Sequence, residues 1–129
     1  MKKLNKKGFT LAELLIVVAI IAVLVAISIP IFSSQLEKSR EAVDLANIRA
    51  AYAEVMTSAL TEDKANDTVT ITGGTYSKTV TLTQAKDGWT TSVEDVKIGE
   101  VALKDTTPKA KGTATVSYNG ITTTVTFSN

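Results

Sequence analysis

One carboxylate, Glu13, stands at the start of a long apolar segment, four residues past Phe9, in the stretch KKGFTLAELLIVVAI (Lys6 to Ile20). An acid in such a segment is by default a functional group whose partner should be named. Few other reactive groups are on offer. The chain has no cysteine and no histidine, which removes disulfides, thiolate metal sites and the usual general base. Asp, Glu, Lys and Ser remain, so the composition argues against an enzyme and calls for no cofactor. Glu62, Asp63 and Asp67 in TEDKANDT lack the spacing of a calcium-binding loop and read as a polar helix-to-strand connection, so no metal site is expected.

A cut between Gly8 and Phe9 supplies the partner that Glu13 lacks. It removes the basic leader and gives Phe9 a free α-amine, one helical turn from Glu13 on the same chain or on a neighbouring one. In a low dielectric that pair is strongly favoured over two isolated charges. Two simpler accounts compete. A secretory signal peptide fits the basic start, with Ala26-Ile27-Ser28 as a small-residue cleavage site, but Glu13 and the length of the apolar run argue against it. A plain membrane anchor explains length and orientation and leaves Gly8, Phe9 and Glu13 as coincidences.

Three kinds of element position these residues. Residues 1–8 form a basic leader, holding four of the fourteen basic side chains as Lys2, Lys3, Lys6 and Lys7. From Phe9 onward ten basic residues face thirteen acidic ones, so a nucleic acid is not expected as the main ligand. Residues 9–32 form an apolar helix about 36 Å long, from a rise of about 1.5 Å per residue. That length exceeds the roughly 30 Å hydrocarbon core of a bilayer. The lysines should hold the N-terminus in the cytoplasm and place the rest of the chain outside.

Residues 33–60 continue the helix amphipathically. Leu36, Val43 and Ala50 make one apolar line, and Leu45, Ile48, Tyr52, Val55 and Ala59 a second. Glu37, Lys38, Arg40, Glu41 and Asp44 are expected on a solvated face. Residues 61–129 read as strands and turns. TVTITGGTYSKTVTLT predicts a hairpin about Gly73-Gly74. ATVSYNGITTTVTF predicts another with Asn119-Gly120 as a two-residue turn, pairing Tyr118 with Ile121, Val116 with Thr123 and Ala114 with Val125. Short extended segments are expected around Trp89, Val93, Val96, Ile98, Val101 and Leu103. Lys104 to Gly112 is expected as an exposed, mildly basic loop. Asn66-Asp67-Thr68 is a formal glycosylation sequon. The fold class is α+β, a long N-terminal helix packed on an antiparallel sheet.

KKGFTLAELLIVVAIIAVLVAISIPIF resembles the leader and N-terminal helix of a type IV pilin. The resemblance is close over roughly residues 3–60 and only architectural beyond. It implies that a prepilin peptidase cuts between Gly8 and Phe9 and that Phe9 is then N-methylated. Glu13 would pair with the N-terminal amine of a neighbouring subunit as the pilus assembly machinery of the cytoplasmic membrane builds a homo-oligomeric helical filament. Ala19, Ala22 and Ala26 would let neighbouring helices approach closely. Pro30 falls where such pilins have a helix-bending proline. The precursor would be a single-pass membrane protein and the assembled form a surface pilus serving adhesion, twitching motility or DNA uptake. The same N-terminus serves pseudopilins of secretion and competence systems, and a membrane-anchored extracellular binding module is the reading from another class. Many relatives close a C-terminal loop with a disulfide and weaken the helix with a glycine. This chain has no cysteine, and no glycine between Phe9 and Pro30. The missing disulfide points towards a Gram-positive member.

Overall fold

The computed structural model describes residues 10–62 and 68–129. Gly8, Phe9, Asp63, Asn66 and Asp67 lie outside the described residues. Helix α1 covers Leu11–Thr61, with Pro30 inside it. Among the described residues six strands follow: β1 (Thr70–Thr72), β2 (Thr75–Thr81), β3 (Lys97–Ile98), β4 (Val101–Ala102), β5 (Thr113–Tyr118) and β6 (Thr123–Ser128). A single 3-10 turn, Leu103–Asp105, comes after β4. The chain divides into two compact units, Met1–Leu36 and Glu37–Asn129.

Within the first unit, the described side chains from Thr10 to Leu36 are all exposed. This helical stretch therefore has no core of its own to bury it. The second unit packs the remainder of α1 on a four-stranded antiparallel sheet of order β1-β2-β5-β6, with β3 and β4 as a separate two-stranded ribbon. Its helix buries Glu37, Glu41, Asp44, Ile48, Ala51, Val55 and Ser58. Steps of four and three residues alternate along that list, which keeps all seven on one side of a helix with 3.6 residues per turn. Ile48, Ala51 and Val55 meet Ala114 and Val116 of β5, together with Val69, Leu82, Ile98 and Leu103, to form the core.

The two apolar lines of the helix separate here. Ile48 and Val55 are fully buried, whereas Leu36 and Val43 remain 39% and 49% exposed. The expectation that Glu37, Glu41 and Asp44 sit on a solvated face is incorrect, since all three are buried. The helix meets a connecting segment at this end, and that segment's unpaired backbone N–H groups need acceptors that an apolar side chain cannot supply.

Both hairpins form. The first has Gly73 and Gly74 in left-handed conformation, with φ of 57° and 82°, and Thr72 faces Thr75 across them. The second departs from its expected register. Tyr118 pairs with Thr123, Val116 with Val125 and Ala114 with Phe127, so the loop is Asn119–Thr122 rather than Asn119-Gly120. Asn119 causes the change, because its Oδ1 accepts hydrogen bonds from the N–H groups of Ile121 (2.9 Å) and Thr122 (2.8 Å). A slip of two residues leaves every side chain on its intended face. It also sets Phe127 opposite Ala114, where its ring meets Trp89 edge-on at 6.1 Å.

The face of the sheet away from the helix is a field of hydroxyls. Thr79, Thr115 and Thr126 stand in one cross-strand row, and Ser77, Ser117 and Thr124 in the next. Thr79 and Thr115 join Oγ1 to Oγ1 at 2.8 Å. The segment Lys104 to Gly112 is docked rather than free. The Pro108 carbonyl accepts from Gly88 N–H, the Gln84 carbonyl from Lys111 N–H and the Gly112 carbonyl from Leu82 N–H. Its lysines are partly engaged, Lys109 with Asp87 at 3.8 Å and Lys111 with the Thr83 carbonyl at 3.1 Å.

Truncation should separate the two helix faces. Ile48→Ala is expected to cost about 2–5 kcal/mol through the cavity it leaves. Val43→Ala should change stability by no more than about 0.5 kcal/mol. Urea unfolding of the full chain in detergent micelles reads both, and equal costs would contradict the assigned face.

Candidate processing and assembly site

The first turn of α1 is closed by a reciprocal pair of hydrogen bonds. Thr10 Oγ1 accepts from the Glu13 N–H at 3.2 Å, and Glu13 Oε2 accepts from the Thr10 N–H at 2.8 Å. The Thr10 carbonyl takes the first helical bond, from Leu14 N–H at 3.1 Å. This is a capping box, in which Thr10 is the N-cap and Glu13 the third helical residue. Two of the N–H groups that a helix start leaves unpaired are thereby satisfied. The carboxylate also lies where the helix dipole favours negative charge. The signal was present in the sequence as Thr10-Leu11-Ala12-Glu13, the T-x-x-E pattern, and reading Glu13 only as a partner for a new α-amine passes over it.

Ala19, Ala22 and Ala26 are exposed on α1. Ala19 joins Ile20, Val23 and Leu24 around a shallow notch without polar lining. Pro30 lies within the helix, which continues on both sides of it. Having no N–H, Pro30 leaves the Ala26 carbonyl without its helical donor. Close by, Ser28 Oγ donates to the Leu24 carbonyl at 2.7 Å, a back-bond that often bends helices. The stretch is long and apolar enough to cross a membrane.

Residues 3–29 match the family model of the prokaryotic N-terminal methylation motif. The chain carries a type IV pilin class III leader. No solved structure matches the chain. The leader supports a type IV pilin-like or pseudopilin protein, and it implies processing by a prepilin peptidase and assembly into filaments of pilus type. The matched residues take in Gly8, Phe9, Glu13, Ala19, Ala22 and Ala26 and end just before Pro30. A long apolar N-terminal helix behind such a leader fits a membrane-anchored precursor.

The second unit has a further polar constellation, built on the same helix. Asp44 Oδ1 accepts from the Thr83 N–H at 2.7 Å, and its Oδ2 from the Gln84 N–H at 2.9 Å. Glu37 takes the N–H groups of Ala85 and Lys86, each through Oε1 at 3.1 and 3.0 Å. Glu41 takes those of Thr90 and Thr91 at 2.6 and 3.0 Å, and both threonine hydroxyls as well. Three carboxylates thus receive six backbone donors from one segment, residues 83–91. Gln84 bridges the same segment from within, its Nε2 donating to the carbonyls of Lys86 and Gly88. Higher on the helix, Glu54 holds Lys78 of β2 and accepts from Thr68 Oγ1.

Burial raises the Glu41 carboxyl, but the hydrogen bonds from Thr91 and Thr90 outweigh it and bring the pKa below the ordinary 4.5. The hydrogen bonds of Lys78 and then Thr68 lower Glu54 likewise. A carboxyl with a depressed folded-state pKa stabilises the fold above its unfolded value and loses that contribution as pH falls through the folded one. The contributions of Glu41 and Glu54 should therefore be lost as pH drops from about 4.5 downward. Trp89, the only tryptophan, adjoins Thr90 and reports the change. In the full chain in micelles, Trp89 fluorescence should show an acid transition. Glu41→Gln should cost about 2 kcal/mol at pH 7 and flatten that transition. A transition of unchanged amplitude in the variant would assign it to other groups.

Proposed function

We propose that the chain is the structural subunit of a type IV pilus, cut between Gly8 and Phe9, N-methylated at Phe9 and assembled from the membrane into a helical filament. The match to the methylation motif carries this reading. The uncovered apolar helix behind the motif supports it, since such a surface requires lipid or like helices around it. Glycine at the junction lets a protease approach the backbone without a side chain in its way. Lys2, Lys3, Lys6 and Lys7 orient the precursor and leave with the leader.

Glu13 serves in two successive ways. In the single subunit its capping box holds the carboxylate against the helix start, next to where the new α-amine will be. During assembly it attracts the amine of a neighbour and sets the register of the incoming helix. Transfer from lipid to a helix bundle exchanges one apolar medium for another, so close packing at Ala19, Ala22 and Ala26 and the charge pair bias the equilibrium. Pro30 and Ser28 supply the point at which the helix bends to pack. The protein is a building element rather than a catalyst. A pseudopilin would share the leader and its processing, and would be distinguished by the absence of sheared surface filaments.

Mass spectrometry of sheared filaments should find N-methylated Phe9 as the first residue. An intact Met1, or a start after Ser28, would sink the proposal. Gly8→Val should leave full-length precursor in the membrane. Glu13→Gln separates the two roles of the acid, because glutamine still completes a capping box but carries no charge. Processing should continue in this variant while filament yield falls at least about tenfold, which corresponds to about 1.4 kcal/mol. Normal filament yield would leave Glu13 with the cap alone.

A further inference from the structure

In an asparagine followed by glycine, the side-chain amide meets the next backbone nitrogen with no Cβ in the way. The chain has this pair once, as Asn119-Gly120. It stands at the tip of the β5–β6 hairpin, where both residues are exposed.

The loop arms the amide. Asn119 Oδ1 accepts from Ile121 N–H at 2.9 Å and Thr122 N–H at 2.8 Å, with Thr122 Oγ1 at 3.4 Å. These donors polarise the side-chain carbonyl and lie where charge gathers if its carbon is attacked. The bond to Ile121, two residues on, makes an Asx turn, which folds Cγ back over the Asn119–Gly120 peptide. Gly120 N–H, next to that carbon, has no acceptor among the described residues. Asn47 gives the contrast. It is also exposed, yet it lies within α1, where the N–H of Ile48 is committed to the helical ladder.

We propose that Asn119 is a self-modification site, at which the folded loop converts the side-chain amide into a carboxylate without an enzyme. Gly120 N gives up its proton to water or hydroxide and attacks Cγ, forming a C–N bond that closes a succinimide ring. The developing oxyanion on Oδ1 is held by the Ile121 and Thr122 N–H groups. The Cγ–Nδ2 bond then breaks, and Nδ2 takes a proton from water and leaves as ammonia. A water molecule opens the ring. Attack at Cγ gives aspartate, and attack at the main-chain carbonyl gives iso-aspartate, with the side-chain methylene in the backbone. Water is consumed, ammonia is released, and nothing is oxidised or reduced. Aspartate formed in place keeps both N–H donors, now towards a charged acceptor. From Gly112 to Asn129 no side chain is charged, so conversion sets a carboxylate on a neutral hairpin. The site acts whether or not the chain builds filaments.

Ageing the full chain in detergent micelles at mildly alkaline pH should produce an acidic form. Trypsin releases Gly112–Asn129 as one peptide, since no lysine or arginine lies within it. Fragmentation should place the amide-to-acid mass gain at Asn119, and an iso-aspartate methyltransferase should label part of the product. Asn119→Gln, whose longer side chain does not close this ring, should show no gain there. Guanidinium chloride tests the loop itself, because it keeps the Asn119-Gly120 pair and removes the cradle. Conversion in it should be about tenfold slower, less than the roughly hundredfold value of one donor in a dry catalytic site. Ile121→Pro, which deletes one donor, should also slow conversion in the folded chain. An absent acidic form, or a mass gain at Asn47 instead, would overturn the site. Equal or faster conversion in guanidinium chloride, or an unchanged rate in Ile121→Pro, would overturn the proposal by leaving only a reactive dipeptide.

Discussion

A backbone N–H taken out of water needs an acceptor, and the path from β2 to β5 is where this requirement is hardest to meet. Between Leu82 and Gly112 the chain has only the β3–β4 ribbon and one 3-10 turn as regular structure. Its donors therefore look outward. Six of them find Glu37, Glu41 and Asp44 on the helix. Others find carbonyls of the adjoining segment from Lys104 to Gly112. Charged acceptors make stronger hydrogen bonds than neutral ones, so a chain without cysteine fastens a long connection by electrostatics. The same fastening places Trp89 against Phe127.

The two units answer different solvents. From Glu37 onward the helix buries one side and leaves the other to water, which is the economy of a globular domain. From Leu14 to Phe32 the exposed residues are apolar apart from Ser28, which suits a bilayer or a bundle of like helices. One continuous helical sequence thus serves two media. Burial begins at Glu37, and the first three buried positions are carboxylates.

What could be read from sequence alone follows from how local each signal is. Lys6-Lys7-Gly8-Phe9 and Glu13 are close neighbours whose chemistry is self-contained, so leader and motif are legible. The Gly73-Gly74 turn is legible for the same reason. The fate of Glu37, Glu41 and Asp44 is not local. Steps of four and three suit solvated ion pairs as well as a buried stripe, and only a partner some forty to fifty residues away decides between them. The second hairpin shows a subtler failure. Asn119-Gly120 is a strong signal for a tight turn, yet the same asparagine side chain organises a four-residue loop, and placing Phe127 on the core favours the longer one.

The hydroxyl face has a consequence for how the head diverges. Its rows of threonine and serine contribute to strand pairing and nothing to the core, so polar residues of good strand propensity are interchangeable there. The helix side is constrained position by position, by three acids and by a close-packed interior. Sequence change should therefore accumulate on one side of a thin sheet. The hydroxyl face would vary while the architecture behind it stays fixed.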